Sequence, residues 1–175
     1  MFRSGKFVAE HVDSIAKKHI QPGGVDISVE SIGTFRGSGV ITDNGYKKAK
    51  TRKSKVNYDR DEDMALWRLG RGGYKVNYRE RVSIPRGHIG LVFPRSRLLR
   101  NGAHLTTAIW DPGYEGVGCG HLQVSNTLKI EPGCRVGQFA LAKIEDGDAG
   151  IYRGTHQHEN TEDYCSGNDG GGDSE

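Results

Sequence analysis

The sequence predicts a mainly β protein, a β-barrel or jelly-roll domain with one short helix at its N-terminal end. Of its 175 residues, 26 are glycines and 34% are hydrophobic, a composition that suits short strands joined by tight turns. Several short segments alternate between apolar and polar residues, and Gly- and Pro-containing turns separate them. A chain of this length is expected to form one domain with a substantial core.

The N-terminal segment is predicted to form a short amphipathic helix within residues 5–19, which residues 21–24 end. Residues 25–32 then alternate strictly, as in a half-buried strand. One face of this strand carries Val25, Ile27 and Val29, and the other carries Asp26, Ser28 and Glu30.

A charged stretch occupies residues 34–73, where no clear strand pattern continues. Six basic residues lie between positions 46 and 55, four acidic residues follow between 59 and 63, and Asp43-Asn-Gly45 predicts a tight turn. One interpretation is a solvated hairpin or loose loop whose charge blocks partly neutralise each other. The other is a phosphate- or nucleic-acid-binding arm. We favour the first, because no base-stacking aromatic residues are interleaved with the basic ones.

The second half of the chain is predicted to contain most of the sheet, with one helical turn at residues 95–100. Strands are expected at residues 74–81, 88–93, 104–110, 120–124, 128–130 and 136–143, with a hairpin corner at residues 131–133. Residues 151–158 close the folded domain, which extends to residue 160. Residues 161–175, rich in Gly and Asp, are predicted to be a flexible tail.

Charge and cysteine content narrow the class of protein. The formal net charge is +3, so bulk charge does not indicate a nucleic-acid partner. The three cysteines have no Cys-x-x-Cys spacing and an odd count, which favours an intracellular protein. No apolar run is long enough for a membrane span, and the N-terminus lacks a signal-peptide core. We therefore expect a soluble cytoplasmic protein without a membrane partner.

Two neighbouring stretches carry the candidate chemistry. Residues 93–102 hold three arginines and a serine, and Arg binds phosphate through paired hydrogen bonds while keeping its charge. Residues 108–116 place Asp111 before a Pro-Gly turn and Tyr114 after it. A carboxylate, a turn and an aromatic ring near a phosphate-binding segment indicate a nucleotide pocket. The alternative is a strand, a turn and scattered surface arginines.

Four motifs in order resemble the dUTPase and dCTP deaminase superfamily, and most of all the archaeal-type dUTPases. They are Gly24-Val-Asp26, Pro94-Arg-Ser96, Trp110-Asp-Pro-Gly-Tyr-Glu-Gly116 and Arg135-Val-Gly-Gln138. The resemblance covers about residues 1–33 and 75–160, and residues 34–73 look like a lineage-specific insert that is dispensable for chemistry. It implies a distorted jelly-roll that assembles as a homotrimer with active sites between subunits. The implied reaction is hydrolysis of dUTP to dUMP and pyrophosphate with Mg²⁺.

The resemblance also implies roles for single residues. Asp111 matches the catalytic aspartate, Tyr114 the aromatic residue on the deoxyribose, and Asp26 an aspartate that organises the metal site indirectly, through water or phosphates. The remaining substrate-binding positions are Arg95, Ser96, Arg100, Gln138 and Gln157, the last in a segment that resembles Tyr-x-Gly-x-Tyr-Gln with His156 in the second aromatic place.

Departures from the superfamily pattern define the alternatives. The deaminases carry a catalytic glutamate where Gln123 stands and an arginine where Ile109 stands, which favours a dUTPase over a dCTP deaminase or a bifunctional enzyme. Arg97 replaces a small residue and could crowd the phosphate site or add a contact. Together with the long insert, Arg97 leaves open a third possibility, a non-catalytic trimeric module with a regulatory or virion-associated structural role.

Overall fold

The computed structural model describes residues 1–145 and 150–160, so the predicted tail at 161–175 lies outside the described residues. The mainly β prediction is confirmed, with two short α-helices, α1 (Gly5–Ala9) and α2 (Ser96–Arg100), beside the strands. The strands are β1 (Ile20–Gln21), β2 (Gly24–Arg36), β3 (Val40–Thr42), β4 (Gly45–Lys47), β5 (Lys50–Lys53), β6 (Asn57–Asp59), β7 (Met64–Leu69), β8 (Gly72–Tyr78), β9 (Val82–Ser83), β10 (His88–Pro94), β11 (Ala103–Thr106), β12 (Glu115–Gly116), β13 (Cys119–Val124), β14 (Leu128–Ile130) and β15 (Arg135–Lys143).

The main sheet is antiparallel and runs in the order β10-β15-β2-β8-β13-β11, with β1 and β5 also paired to β2. Its core consists of apolar side chains that alternate along the long strands, among them Ile27, Val76, Leu122 and Phe139. In the part of the chain that the structure describes, no helix is long and apolar enough to cross a membrane.

The predicted N-terminal helix is wrong in length, because α1 ends at Ala9. Beyond it, the chain pairs with β9 and the residue before it: Asp13 N donates to Arg81 O at 2.9 Å, and Ser83 N donates to His11 O at 3.0 Å. Ser14 then adopts a positive φ of 60°, which a helix does not allow. The short N-terminal helix is thus present, and tertiary β-type hydrogen bonds replace only the part that was predicted beyond Ala9.

The prediction of one solvent-facing side for residues 25–32 is also wrong. Asp26 and Ser28 are both buried, and only Glu30 of the predicted polar face is exposed. The reason is the central position of β2, which pairs with β15 along its first half and with β8 and β5 further on. The buried polar groups have partners: Ser28 N, for example, donates to the buried Glu80 carboxylate at 2.7 Å.

The loose-loop interpretation of residues 34–73 fails for most of the segment. β5 pairs with β2, and β7 pairs with β14 and buries Leu66, Trp67 and Leu69 in the domain. Lys129 on β14 binds two acids of the insert, Asp59 at 3.0 Å and Glu62 at 3.2 Å. Only the exposed hairpin of β3 and β4 matches the solvated-hairpin prediction, and its turn at Asp43-Asn44 is confirmed.

The later strands and the α2 turn are confirmed with two corrections. The strand predicted at residues 104–110 ends at Thr106, and Trp110 instead forms an isolated bridge to Gly90. Residues 131–133 do form a turn, with Gly133 at φ 75°, but not a hairpin, because β14 pairs with β7 and β15 with β2 and β10.

Candidate active site

The loop that carries Asp111 is held in one conformation by backbone hydrogen bonds. Tyr114 N donates to Asp111 O at 3.1 Å, and Gly113 has φ 83°, as the third position of a type II turn requires. Gly113 N donates to Ile84 O, and Ile84 N to Tyr114 O, each at 2.8 Å. The turn is thus fixed to the segment before β10, and the Asp111 side chain stays exposed at its edge.

Aromatic side chains support this loop from below. The Trp110 ring lies 5.7 Å from that of Tyr114 and 5.4 Å from that of Phe139, centroid to centroid. A Cβ on Gly118 would overlap the Trp110 ring, so this close packing requires glycine. Tyr114 is 5% exposed, and burial raises the pKa of its hydroxyl, which stays neutral at pH 7.

A cavity of about 840 Å³ opens beside Asp111 and Tyr114. The end of β11 and the loop after it line the cavity with residues 106–111, and the start of β13 lines it with residues 118–121. These residues include Ile109, Cys119 and His121, and β8 adds Lys75. The insert lines it with Phe35, Tyr46, Lys48, Ala49 and Thr51, and the C-terminal segment with Tyr152, His156 and Glu159.

Sequence reasoning missed the insert residues, Lys75 and His121 as parts of this cavity. Alternation along β13 gave the one available signal, since Cys119 and His121 point to the same face. Gln123 shares that face but lies outside the cavity lining.

The C-terminal segment lies directly on the Asp111 loop. Tyr152 N donates to Pro112 O at 2.7 Å, and His158 N donates to Glu115 O at 2.7 Å. The Gln157 amide uses both ends on this loop: Nε2 donates to Gly113 O at 3.0 Å, and Oε1 accepts from Glu115 N at 3.4 Å. Gln157, predicted to bind substrate, therefore holds the turn that follows Asp111 in this structure.

A second polar cluster surrounds Asp26, which is 2% exposed. Arg135 Nη1 donates to Asp26 Oδ2 at 3.0 Å, and Gln21 Nε2 donates to the same oxygen at 3.3 Å. Arg95 Nη1 lies 3.1 Å from Oδ2, but this atom forms no hydrogen bond of good geometry, so the contact is an ion pair only. Burial lowers the pKa of Arg95 and the Asp26 charge opposes that shift, so the guanidinium remains charged at pH 7.

The other predicted phosphate-binding residues lie around this cluster. Gln138 is opposite Asp26 in the pairing of β15 with β2. Ser96 and Arg100 are exposed on α2, immediately after Arg95. Arg97 lines a different cavity, of about 350 Å³, where the Met64 and Leu66 side chains of the insert meet α2.

Within this chain, the Asp111 loop and the Asp26 cluster lie apart. Trp110 pairs with Gly90 on β10, and Arg95 follows the end of that strand. Gly90 and Arg95 are five residues apart along extended chain, which spans about 17 Å, so the Asp111 loop and Arg95 are separated by about this distance. The larger cavity holds Asp111 and Tyr114 but none of Asp26, Arg95 or Gln138.

The donor set does not build a protein cage for a metal ion. Among residues 1–145 and 150–160, no group of three or more His, Cys, Asp or Glu side chains could hold one. The Asp26 carboxylate, predicted to act on the metal indirectly, is already shared by two guanidinium groups and one amide. Any Mg²⁺ at this site must take most of its ligands from water and substrate phosphates.

Comparisons with known proteins show which proteins this chain is similar to. A family model described as dCTP deaminase-like matches residues 2–144. A Halobacterium salinarum protein named probable deoxyuridine 5'-triphosphate nucleotidohydrolase is 39% identical over 164 residues, which are 93% of this chain and 97% of the relative. A protein of the same name from Aeropyrum pernix is 36% identical over 165 residues, 91% of this chain and 99% of the relative.

A solved structure shares the fold at low sequence identity. The 2'-deoxycytidine 5'-triphosphate deaminase from Agrobacterium tumefaciens aligns with a TM-score of 0.52 at 15% identity. The alignment covers 80% of this chain and 47% of the deaminase chain, so this chain spans about half of that neighbour.

Proposed function

This chain belongs to the dCTP deaminase-like family, and from that premise we infer that it is an enzyme that hydrolyses dUTP to dUMP and pyrophosphate. The observation that carries the inference is the fixed turn that presents Asp111 at the edge of a nucleotide-sized cavity, with Tyr114 packed beneath. The names of the two archaeal relatives supply the substrate. A cytoplasmic location belongs to the same proposal, because the substrate is a small soluble nucleotide.

Asp111 is proposed as the general base. An exposed, ionised carboxylate can orient a water molecule and accept its proton as the water attacks the α-phosphorus. The bonds to Ile84 hold the backbone of the turn that follows Asp111, and Gln157 adds two more bonds to the same loop. A fixed backbone presents the carboxylate from one position, which lowers the entropy that is lost when the reacting water binds.

Binding of the nucleotide is proposed to involve both clusters. Tyr114 packs on the deoxyribose and leaves no room for a 2′-hydroxyl, while Arg95, Ser96, Arg100 and Gln138 bind the triphosphate. The ion pair between Arg95 and Asp26 supports this role, since it fixes the direction of the guanidinium. Mg²⁺ is proposed as a companion of the phosphates, where it would neutralise their charge.

We propose a homotrimer with sites between subunits. Support comes from the separation of Asp111 and Arg95 in one protomer, because one nucleotide cannot use both groups of the same chain if they lie about 17 Å apart. Exposed apolar side chains offer an area for contact between copies, and they include Phe2, Phe93, Leu99 and Ile109.

The test is an assay of pyrophosphate release from dUTP by the purified protein, with and without Mg²⁺. We expect release that depends on dUTP and is far slower with UTP, which carries the 2′-hydroxyl. Absence of pyrophosphate release with a correctly folded protein would refute the proposal.

A further inference from the structure

The insert contributes one wall of the cavity that holds Asp111. Tyr46 on β4, Lys48 just after β4, and Thr51 on β5 all line it. The C-terminal segment lines the same cavity through Tyr152, His156 and Glu159. A segment that was expected to be irrelevant to the chemistry thus stands within reach of a bound substrate.

A line of contacts runs from the C-terminal segment to the insert. Glu159 Oε2 lies 3.3 Å from His156 Nδ1, and His156 Nε2 lies 3.0 Å from the Tyr46 hydroxyl. The backbone N of His156 donates to the Tyr152 hydroxyl at 3.2 Å, which fixes the start of this line. With both ring nitrogens engaged, the imidazole cannot rotate without breaking a contact.

Lys48 stands at the end of this line. Its Nζ lies 5.8 Å from the centroid of the Tyr46 ring, within the range of a cation–π interaction. No carboxylate among the described residues lies within ion-pair distance of Lys48. Of the carboxylates that line the cavity, Glu159 already contacts His156, and Asp111 is the proposed general base that orients the attacking water.

The Lys48 charge also acts on the Cys119 thiol, which lines the same cavity. Burial raises the pKa of the Cys119 thiol, the Lys75 charge opposes the shift, Glu159 adds to it, and Lys48 opposes it again. The Lys48 charge is therefore close enough to act inside the cavity, where two ammonium groups offer donors to an incoming ligand.

We propose that Lys48 is a substrate-binding residue of this cavity and that Tyr46, held by His156, is its positioning residue. The ammonium group donates to an oxygen of the bound nucleotide, either a pyrimidine carbonyl or a phosphate oxygen. This inference rests on the proposed dUTP hydrolysis. It also reverses the expectation that the insert is dispensable, because the hairpin and the C-terminal segment together confine the substrate.

Steady-state kinetics with dUTP on Lys48→Gln, Tyr46→Phe and their combination test the proposal. Loss of one charge-assisted hydrogen bond should raise KM about tenfold or more with little change in kcat. Tyr46→Phe should raise KM less, because it removes only the hydroxyl that holds Tyr46 to His156. The combined variant should resemble Lys48→Gln, since Tyr46 is proposed to act only through the contact between Lys48 and the nucleotide. Lys47→Gln is the matched control, a neighbouring exposed lysine outside the cavity lining, and should leave KM unchanged.

Two ligands separate the possible oxygen acceptors. If Lys48 binds a carbonyl, Lys48→Gln weakens inhibition by deoxyuridine and binding of the α,β-imido analogue of dUTP by similar factors. If it binds phosphate, only the analogue is affected. Either result supports the proposal, and wild-type values of KM and of both affinities overturn it. If the wild-type protein releases no pyrophosphate from dUTP, the proposed function itself is refuted. In that case the affinity of the analogue for Lys48→Gln, compared with the wild type, still tests the Lys48 contact.

Discussion

Asp26 and Arg95 form an ion pair across two elements, with Oδ2 of the aspartate 3.1 Å from Nη1 of the arginine. Asp26 lies on the central strand β2, and Arg95 is the N-cap of α2. The carboxylate also accepts a hydrogen bond from Arg135. A buried negative charge thus orients two cations at the proposed phosphate site.

Asp26→Asn should destabilise the protein and weaken substrate binding. Removal of one partner from a buried ion pair typically costs about 3–5 kcal/mol, because the other charges lose their compensation. Glu30→Gln on the same strand is the control: its pair with Arg79 is exposed, and such a pair contributes under about 1 kcal/mol. Urea unfolding measures both. Equal midpoints for Asp26→Asn and the wild type would contradict the proposed role of the buried carboxylate.

Gly113→Ala should lower kcat/KM and loosen the C-terminal segment. Gly113 has φ 83°, where a side chain costs about 1–2 kcal/mol, and its new Cβ would overlap the Ile151 side chain. Hydrogen exchange of the Tyr152 and His158 amides, which bond to the Asp111 loop, reports the displacement.

Gly150→Ala provides the comparison for Gly113→Ala. Gly150 has open space around its Cα, so exchange and activity should match the wild type. If the Tyr152 and His158 amides of Gly113→Ala exchange as slowly as those of the wild type, the turn tolerates a side chain at position 113 and the prediction is wrong.

Local patterns predicted the turns and the strands whose apolar and polar residues alternate clearly. The Pro112-Gly113 turn and the α2 turn after Pro94 are such cases. Long-range pairing decided the rest. β7 pairs with β14, about sixty residues away, so the local sequence of residues 64–69 did not indicate a buried strand.

The same limit explains the incomplete site prediction. Motifs located Asp111 and Arg95, but the Tyr46–His156 contact joins residues separated by 110 positions. The burial of Asp26 also depends on strands on either side of β2, which alternation within one segment cannot report.

Asp111→Asn should abolish hydrolysis while preserving nucleotide binding. The amide keeps the shape of the side chain but cannot accept the proton of the attacking water, so kcat should fall about 10²–10⁴-fold with KM nearly unchanged. Asp43→Asn makes the same chemical change at the exposed hairpin turn and should have no effect. Turnover by Asp111→Asn near the wild-type rate would remove Asp111 as the general base.

Two inactive variants should complement each other if sites form between subunits. Asp111→Asn removes the base, and Ser96→Glu places a negative charge at the exposed start of α2, in the proposed phosphate site. After joint refolding at equal amounts, about a quarter of the sites in randomly mixed trimers hold both intact residues. Sedimentation checks assembly, and persistent monomers or the absence of recovered activity in mixed trimers would contradict the shared site.

The protein should not deaminate dCTP. Deamination needs a group that moves protons at the pyrimidine ring, and the Gln123 amide cannot do so near neutral pH. Gln123 also lies outside the lining of the cavity, and Ile109 presents an apolar side chain to it. Of the lining carboxylates, Glu159 is paired with His156, and Asp111 stands at the turn.

Ammonia release from dCTP, measured beside pyrophosphate release from dUTP, decides this prediction. We expect ammonia at least about a thousandfold slower, since a positioned acid–base group contributes roughly 10²–10⁴-fold. Comparable rates would overturn it. His121→Gln would then test His121 as the shuttle, because its imidazole on β13 lines the cavity, and its loss would stop deamination while hydrolysis through Asp111 continued.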